Sequence, residues 1–130
     1  MDRKVYVLYG TLWTATSCTP WIPVLFDDYG RAREYMVGEF RNYLKSCGYL
    51  GKDGDTVVPT RELDSITVNG VSVTDPIFGR FRVSELLGVQ LETLRAAEEF
   101  SGIEWRLRSL PVHAGSESTE GAVGRFRIDA

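Results

Sequence analysis

A chain of 130 residues with 43% hydrophobic and 25% charged residues has the size and composition of one globular domain that folds without disulfide or metal staples. Its net charge of -3 is too mild for a basic nucleic-acid coat or a strongly acidic nucleic-acid mimic, so any charged site acts through placement. The chain has no apolar run as long as a membrane span. Its first residues lack the apolar core of a signal peptide. Its two cysteines, Cys18 and Cys47, form neither a disulfide framework nor a metal-ligand spacing. A cytoplasmic setting with free thiols, no membrane and no cofactor is the expectation.

Residues 4–14 read as a strand that is apolar on both faces, with Val5, Val7, Tyr9 and Trp13 on one and Tyr6, Leu8 and Leu12 on the other. A polar loop over 15–20 leads to a second strand over 21–26, where Pro23 favours an edge or a bulge. Asp27-Asp28 caps an amphipathic helix. Its apolar stripe is Tyr29, Ala32, Met36, Phe40, Tyr43 and Cys47, and Gly48 stops it.

Residues 52–55 form a turn, and 56–58 begin a short strand. Asn69-Gly70 between β-branched residues marks a type I′ hairpin over 66–73. A second helix is predicted from Ser84 or Val89 to about Phe100, with Leu87, Leu91 and Leu94 on its stripe. Residues 103–112 form a strand with Ile103, Trp105 and Leu107 on one face. Residues 1–112 then make a single compact domain, 113–123 a flexible loop, and 124–130 a final strand or a tail. The fold class is α+β: a mostly antiparallel sheet of about four to six strands with two amphipathic helices on one face.

One pattern recurs three times, as Arg80-Phe81-Arg82, Arg106-Leu107-Arg108 and Arg125-Phe126-Arg127. On a strand each copy puts two guanidinium groups on one face and an apolar side chain on the other. Strands in one sheet would gather six arginines on one side. Such forks suit carboxylates and phosphates. The bland alternative is a set of solvated charges, with Glu104 and Glu85 as neighbours. Trp21, between Pro20 and Pro23, is the tryptophan expected to reach the surface and act as an interface anchor.

The run Glu85-Leu86-Leu87-Gly88-Val89, continued by Glu92-Thr93-Leu94-Arg95, resembles the helix-turn-helix of the MerR and excisionase type. That resemblance implies Gly88 as the turn and Gln90, Glu92, Thr93 and Arg95 as groove-facing positions. It competes with the strand reading of Arg80–Val83.

Catalytic chemistry is poorly supplied. Cys18 and the single histidine, His113, lack a third orienting group. Asp27 and Asp28 read as a helix cap, and Asp53-Gly54-Asp55 lacks the remaining calcium-loop positions. The expected function is therefore non-enzymatic protein binding. An acidic protein surface would be engaged by Arg80, Arg82, Arg106, Arg108, Arg125, Arg127 and Trp21, with no metal or catalytic residue. Small domains of this kind are typical of phage- or mobile-element-encoded inhibitors and adaptors that occlude a larger partner. The alternative is nucleic-acid binding, through the same basic face or through the helix-turn-helix at 82–95.

Overall fold

A computed structural model of the chain describes residues 3–21, 23–58, 60–73 and 81–112. Its centre is the pairing of two long strands. β1 (Arg3–Trp13) runs antiparallel to β7 (Gly102–Val112) through 11 residue pairs, from Arg3 opposite Val112 to Trp13 opposite Gly102. On the outer side of β1 lie two short strands, β2 (Cys18–Pro20) and β3 (Val24–Phe26). Trp21 joins them and donates its amide to Gly10 O at 2.8 Å. The end of the expected polar loop, 18–20, and the end of the expected second strand, 24–26, thus form one interrupted edge strand. Pro20 and Pro23 belong on such an edge, where missing donors cost nothing in the ladder.

The other half of the sheet continues from β7 through β6 (Thr93–Glu98) and β4 (Leu63–Val68) to β5 (Val71–Ser72). The described strands form one seven-stranded sheet, and every pairing within it is antiparallel. β4 and β5 make the predicted hairpin. Asn69 and Gly70 both take positive φ, 50° and 80°, as a type I′ turn demands.

One α-helix, α1 (Tyr29–Ser46), crosses one face of the sheet. Asp28 caps it by accepting from the Arg31 amide at 2.9 Å. At the other end Gly48 N donates to Lys45 O and Tyr49 N to Leu44 O, and Gly48 has φ 78°. This is the paired closure of a Schellman motif, which glycine enters without a Cβ clash. Ala32, Met36, Val37, Phe40 and Leu44 are buried against Leu8, Ile66, Leu94, Trp105 and Leu107. Trp105 anchors this core, fully buried and edge-on to Phe40 at 5.7 Å.

The second helix expected over 84–100 is absent. Val83–Gly88 is a short 3₁₀ helix, and residues 93–98 are strand β6. The Glu- and Ala-rich stretch has good intrinsic helix propensity, but it lies between β4 and β7 and bonds to both. Leu94 and Ala96 point into the core while Arg95 is exposed, which is alternation with period two. Leu87, counted on the helical stripe, is exposed. Without a helix after Gly88, the helix-turn-helix reading of 82–95 also falls, because Thr93 and Arg95 lie on a strand with no recognition helix to carry them.

The candidate binding face

In an antiparallel pair, residues directly opposite share a face. The β1–β7 register therefore puts Leu8, Gly10, Leu107 and Trp105 on the helix side. Arg3, Val5, Val7, Tyr9, Thr11 and Trp13 face the other way, beside Leu110, Arg108, Arg106 and Glu104. β6 adds Thr93 opposite Arg106 and Arg95 opposite Glu104. α1 and the 3₁₀ helix both pack into the core on the helix side, so the described helices leave this second face open.

The open face has internal order. Arg95 lies over the Trp13 ring, its guanidinium carbon 5.0 Å from the centroid. Trp13 in turn rests on Gly102, where an added Cβ would collide with the indole. Arg106 Nε donates to Glu104 Oε1 at 2.7 Å, and that carboxylate raises the arginine's already high pKa. Arg108 has no ion pair among the described residues, so its fork is available.

Of the arginines singled out from the repeat, Arg106 and Arg108 share this face as expected. Arg82 does not join them. It makes an isolated bridge with Thr56 and stands at the N-cap position of the 3₁₀ helix without a side-chain capping bond, off the sheet. The cause is a contact distant in sequence: Asp55 accepts from the Ser84 amide and hydroxyl at 2.8 and 2.6 Å, which draws this segment onto the 51–57 turn. Arg80, Arg125 and Arg127, like His113, lie outside the described residues.

Trp21 is also separated from the arginines. It sits on the helix side, partly buried, with its ring edge-on to Trp105 at 5.5 Å. The tryptophan of the open face is Trp13. The sequence does not single out Trp13 or Tyr9 as site residues, and it offers Arg95 only as a groove-facing position of the helix-turn-helix. The signal for Arg95 was the alternation Leu94-Arg95-Ala96, hidden by the helical reading of its neighbours.

At one end of the face the sheet has a gap. β6 begins at Thr93, opposite Arg106, while β7 runs on to Val112. A cleft of about 500 Å³ opens beside this stretch, walled by Tyr6, Tyr9 and Tyr29, by residues 90–93, and by Arg106 to Ser109. Tyr6 and Tyr29 meet edge to face at 5.7 Å in its floor. Asn69 fixes one wall, accepting from the Glu92 and Thr93 amides and donating to Gln90 O at 2.6 Å.

Among the described residues no group of three His, Cys, Asp or Glu side chains is placed to hold a metal ion. Cys18 and Cys47 are both free and exposed. No described helix is long and apolar enough to cross a membrane. No family model, curated protein or solved structure matches the chain.

Proposed function

We propose that this chain is a non-enzymatic protein-binding module that lays the open face of its sheet against an acidic surface of a larger partner. The observation that supports this reading is the gathering of Arg95, Arg106 and Arg108 on the part of the face that carries Tyr9 and Trp13, where β1, β6 and β7 supply a single carboxylate, Glu104. Val5, Val7 and Leu110 give the face an apolar content that a purely ionic surface lacks. Desolvated aromatic anchors with arginines beside them are the composition of interface hot spots. The arginines steer and orient the partner, and the apolar centre supplies the burial. The module acts by occlusion, as an inhibitor or adaptor of the kind that phages and mobile elements encode.

The same face could serve single-stranded nucleic acid by stacking bases on its aromatic rings. The engagement of Trp13 by Arg95 favours the protein reading, because that ring is already covered by a cation.

The test is an affinity capture from nuclease-treated extract of the native host, with the wild-type chain and an Arg95→Glu/Arg106→Glu/Arg108→Glu variant. A discrete protein retained by the wild type and lost by the variant supports the reading. Retention of nucleic acid from untreated extract, collapsing between about 50 and 200 mM salt, in place of any protein, sinks it.

A further inference from the structure

The cleft beside β7 has a property that the open face alone does not: it exposes main chain. Leu107 N donates to Glu92 O at 2.8 Å, so the backbone of Leu107 points toward the β6 side and away from β1. With period two, Ser109 and Pro111 point the same way. β6 has no residue to meet them, because its chain turns down at Leu91. The Leu91 side chain is buried at 1% exposure, and its amide donates to Tyr29 Oη. Beyond Leu107, the β7 edge is therefore unpaired among the described residues. Pro111 agrees with this, since proline sits in a strand where its missing donor would face no partner.

Two arginines stand over this edge. Arg106, held at Nε by Glu104, and Arg108, which has no ion pair among the described residues, line the cleft, against one carboxylate in its walls, Glu92. Tyr6 and Tyr29 provide an apolar floor below. An unpaired edge, a row of cations on one side and an aromatic hole on the other form the pattern read by strand addition, in which main-chain bonds give affinity and alternate side chains give specificity.

We infer that the cleft takes an extended acidic segment of the partner protein, which adds to β7 from the Leu107 carbonyl through Ser109, past the bond that the Leu107 amide already makes to Glu92 O. Its alternate carboxylates face Arg106 and Arg108, and the intervening apolar residues face Tyr6 and Tyr29. This inference rests on the protein-binding reading and adds to it the mode of binding. Charge selects the occupant: a cationic segment would face two arginines, and a neutral one would leave them unanswered.

The probe is an acetylated hexapeptide alternating Glu and Val, titrated into the full-length ¹⁵N-labelled chain and followed by amide chemical shifts. Three comparisons accompany it: the same peptide N-methylated at alternate residues, a Lys-Val peptide, and an Arg106→Ala/Arg108→Ala variant. The expected result is saturable shifts at residues 90–93 and 107–109 with a Kd tighter than about 1 mM. The Lys-Val peptide should not bind. The double variant should bind roughly tenfold more weakly, as two rim ion pairs imply. N-methylation should weaken binding by more than about tenfold, because it removes the main-chain donors that an edge strand needs.

A Ser109→Pro chain should lose binding too, and the methylated peptide keeps the test decisive if that variant misfolds. Equal binding by the methylated peptide, shifts confined to Trp13 and Arg95, or no shifts at all would overturn strand addition. Contacts between residues 107–109 and 113–130 in the free chain would assign the edge to the protein's own segment and overturn it as well. If host capture still depends on the arginines, the inference has failed alone. If capture also fails, the protein-binding reading has failed with it.

Discussion

Asn69 and Thr93 are joined twice: the Asn69 amide donates to Thr93 O at 2.8 Å, and the Thr93 amide donates to Asn69 Oδ1 at 3.1 Å. The turn residue of one hairpin thereby sets where β6 begins. Asn69 serves both purposes because asparagine tolerates the left-handed conformation that the type I′ turn requires and carries an amide that can both donate and accept.

Replacing Asn69 by Gly separates the two roles. Glycine keeps the turn, and the side-chain bonds to residues 90, 92 and 93 disappear. The expected loss is about 1–2 kcal/mol, because the freed groups are exposed and water replaces part of each bond. Urea unfolding should show this loss, and hydrogen exchange should quicken first at the Glu92 and Thr93 amides.

Asp55 ties three elements together, accepting from the Ser84 amide, the Ser84 hydroxyl and Arg41 Nη2. These partners, the Ser84 hydroxyl foremost, lower its pKa. Asp53, bonded chiefly to the Thr56 hydroxyl and then to the Thr56 and Asp55 amides, is lowered to about 2 from 3.8. A carboxylate with a depressed folded pKa stabilises the fold above its unfolded value and stops doing so as pH falls through the folded one. Stability should therefore fall as pH drops from about 4 toward 2. Asp55→Ala should cost about 2 kcal/mol at pH 7. As pH falls below the ordinary aspartate range its unfolding curve should approach that of the wild type. A gap independent of pH would show that the charge on Asp55 is not what matters.

The long strands, the capped helix and the Asn-Gly hairpin were legible because each rests on a local signal: alternation, an Asp cap with a following glycine, and a turn dipeptide. The second helix failed because residues 84–100 carry two periods at once. Leu87, Leu91 and Leu94 suit a helix, Leu94 and Ala96 suit a strand, and only pairing with β4 and β7 decides. The site shared this fate in part. Arg106 and Arg108 were visible on their own strand, but Trp13 and Arg95 come together only through a register between β1, β7 and β6 that no local pattern encodes. Arg82 was misplaced because its repeat looked like a strand, while Asp55, 29 residues from Ser84 in sequence, draws the chain elsewhere.

Tyr43 and Tyr49 both have pKa values pushed above 10.0, first by burial and then by neighbours that include the Glu98 carboxylate. Tyr43 Oη donates to Glu98 Oε1 at 3.4 Å, and the Ser101 hydroxyl donates to Oε2 at 3.0 Å. A phenol with a raised folded pKa stabilises the fold fully below its unfolded value, and that contribution is lost as pH rises through the folded one. The midpoint of thermal unfolding should hold up to about pH 10 and then fall. Tyr43→Phe keeps the ring contact with Trp105 and should cost less than about 1 kcal/mol at neutral pH. It should also make the alkaline fall shallower. An unchanged alkaline limb in both Tyr43→Phe and Tyr49→Phe would count against the assignment.

Gly102 connects the stability of the sheet to its open face. A Cβ there would collide with the Trp13 indole and lie 2.7 Å from Ala96 O. The indole can swing away, but the Ala96 carbonyl belongs to β6 and cannot. Gly102→Ala should therefore destabilise by roughly 1–3 kcal/mol, as overpacking in a closed site does. It should also lift Trp13 from beneath Arg95. Trp13 emission should shift to the red and become easier to quench with iodide, a change best read in a Trp21→Phe background, while Trp105 stays buried at 0% exposure. Arg95→Ala should expose Trp13 in the same way with little loss of stability, since an exposed cation–π pair contributes only about 0.5–1 kcal/mol. Matching spectra with unequal stabilities would separate the two contributions to the site: β6 and Gly102 set the height of the platform, and Arg95 covers the ring.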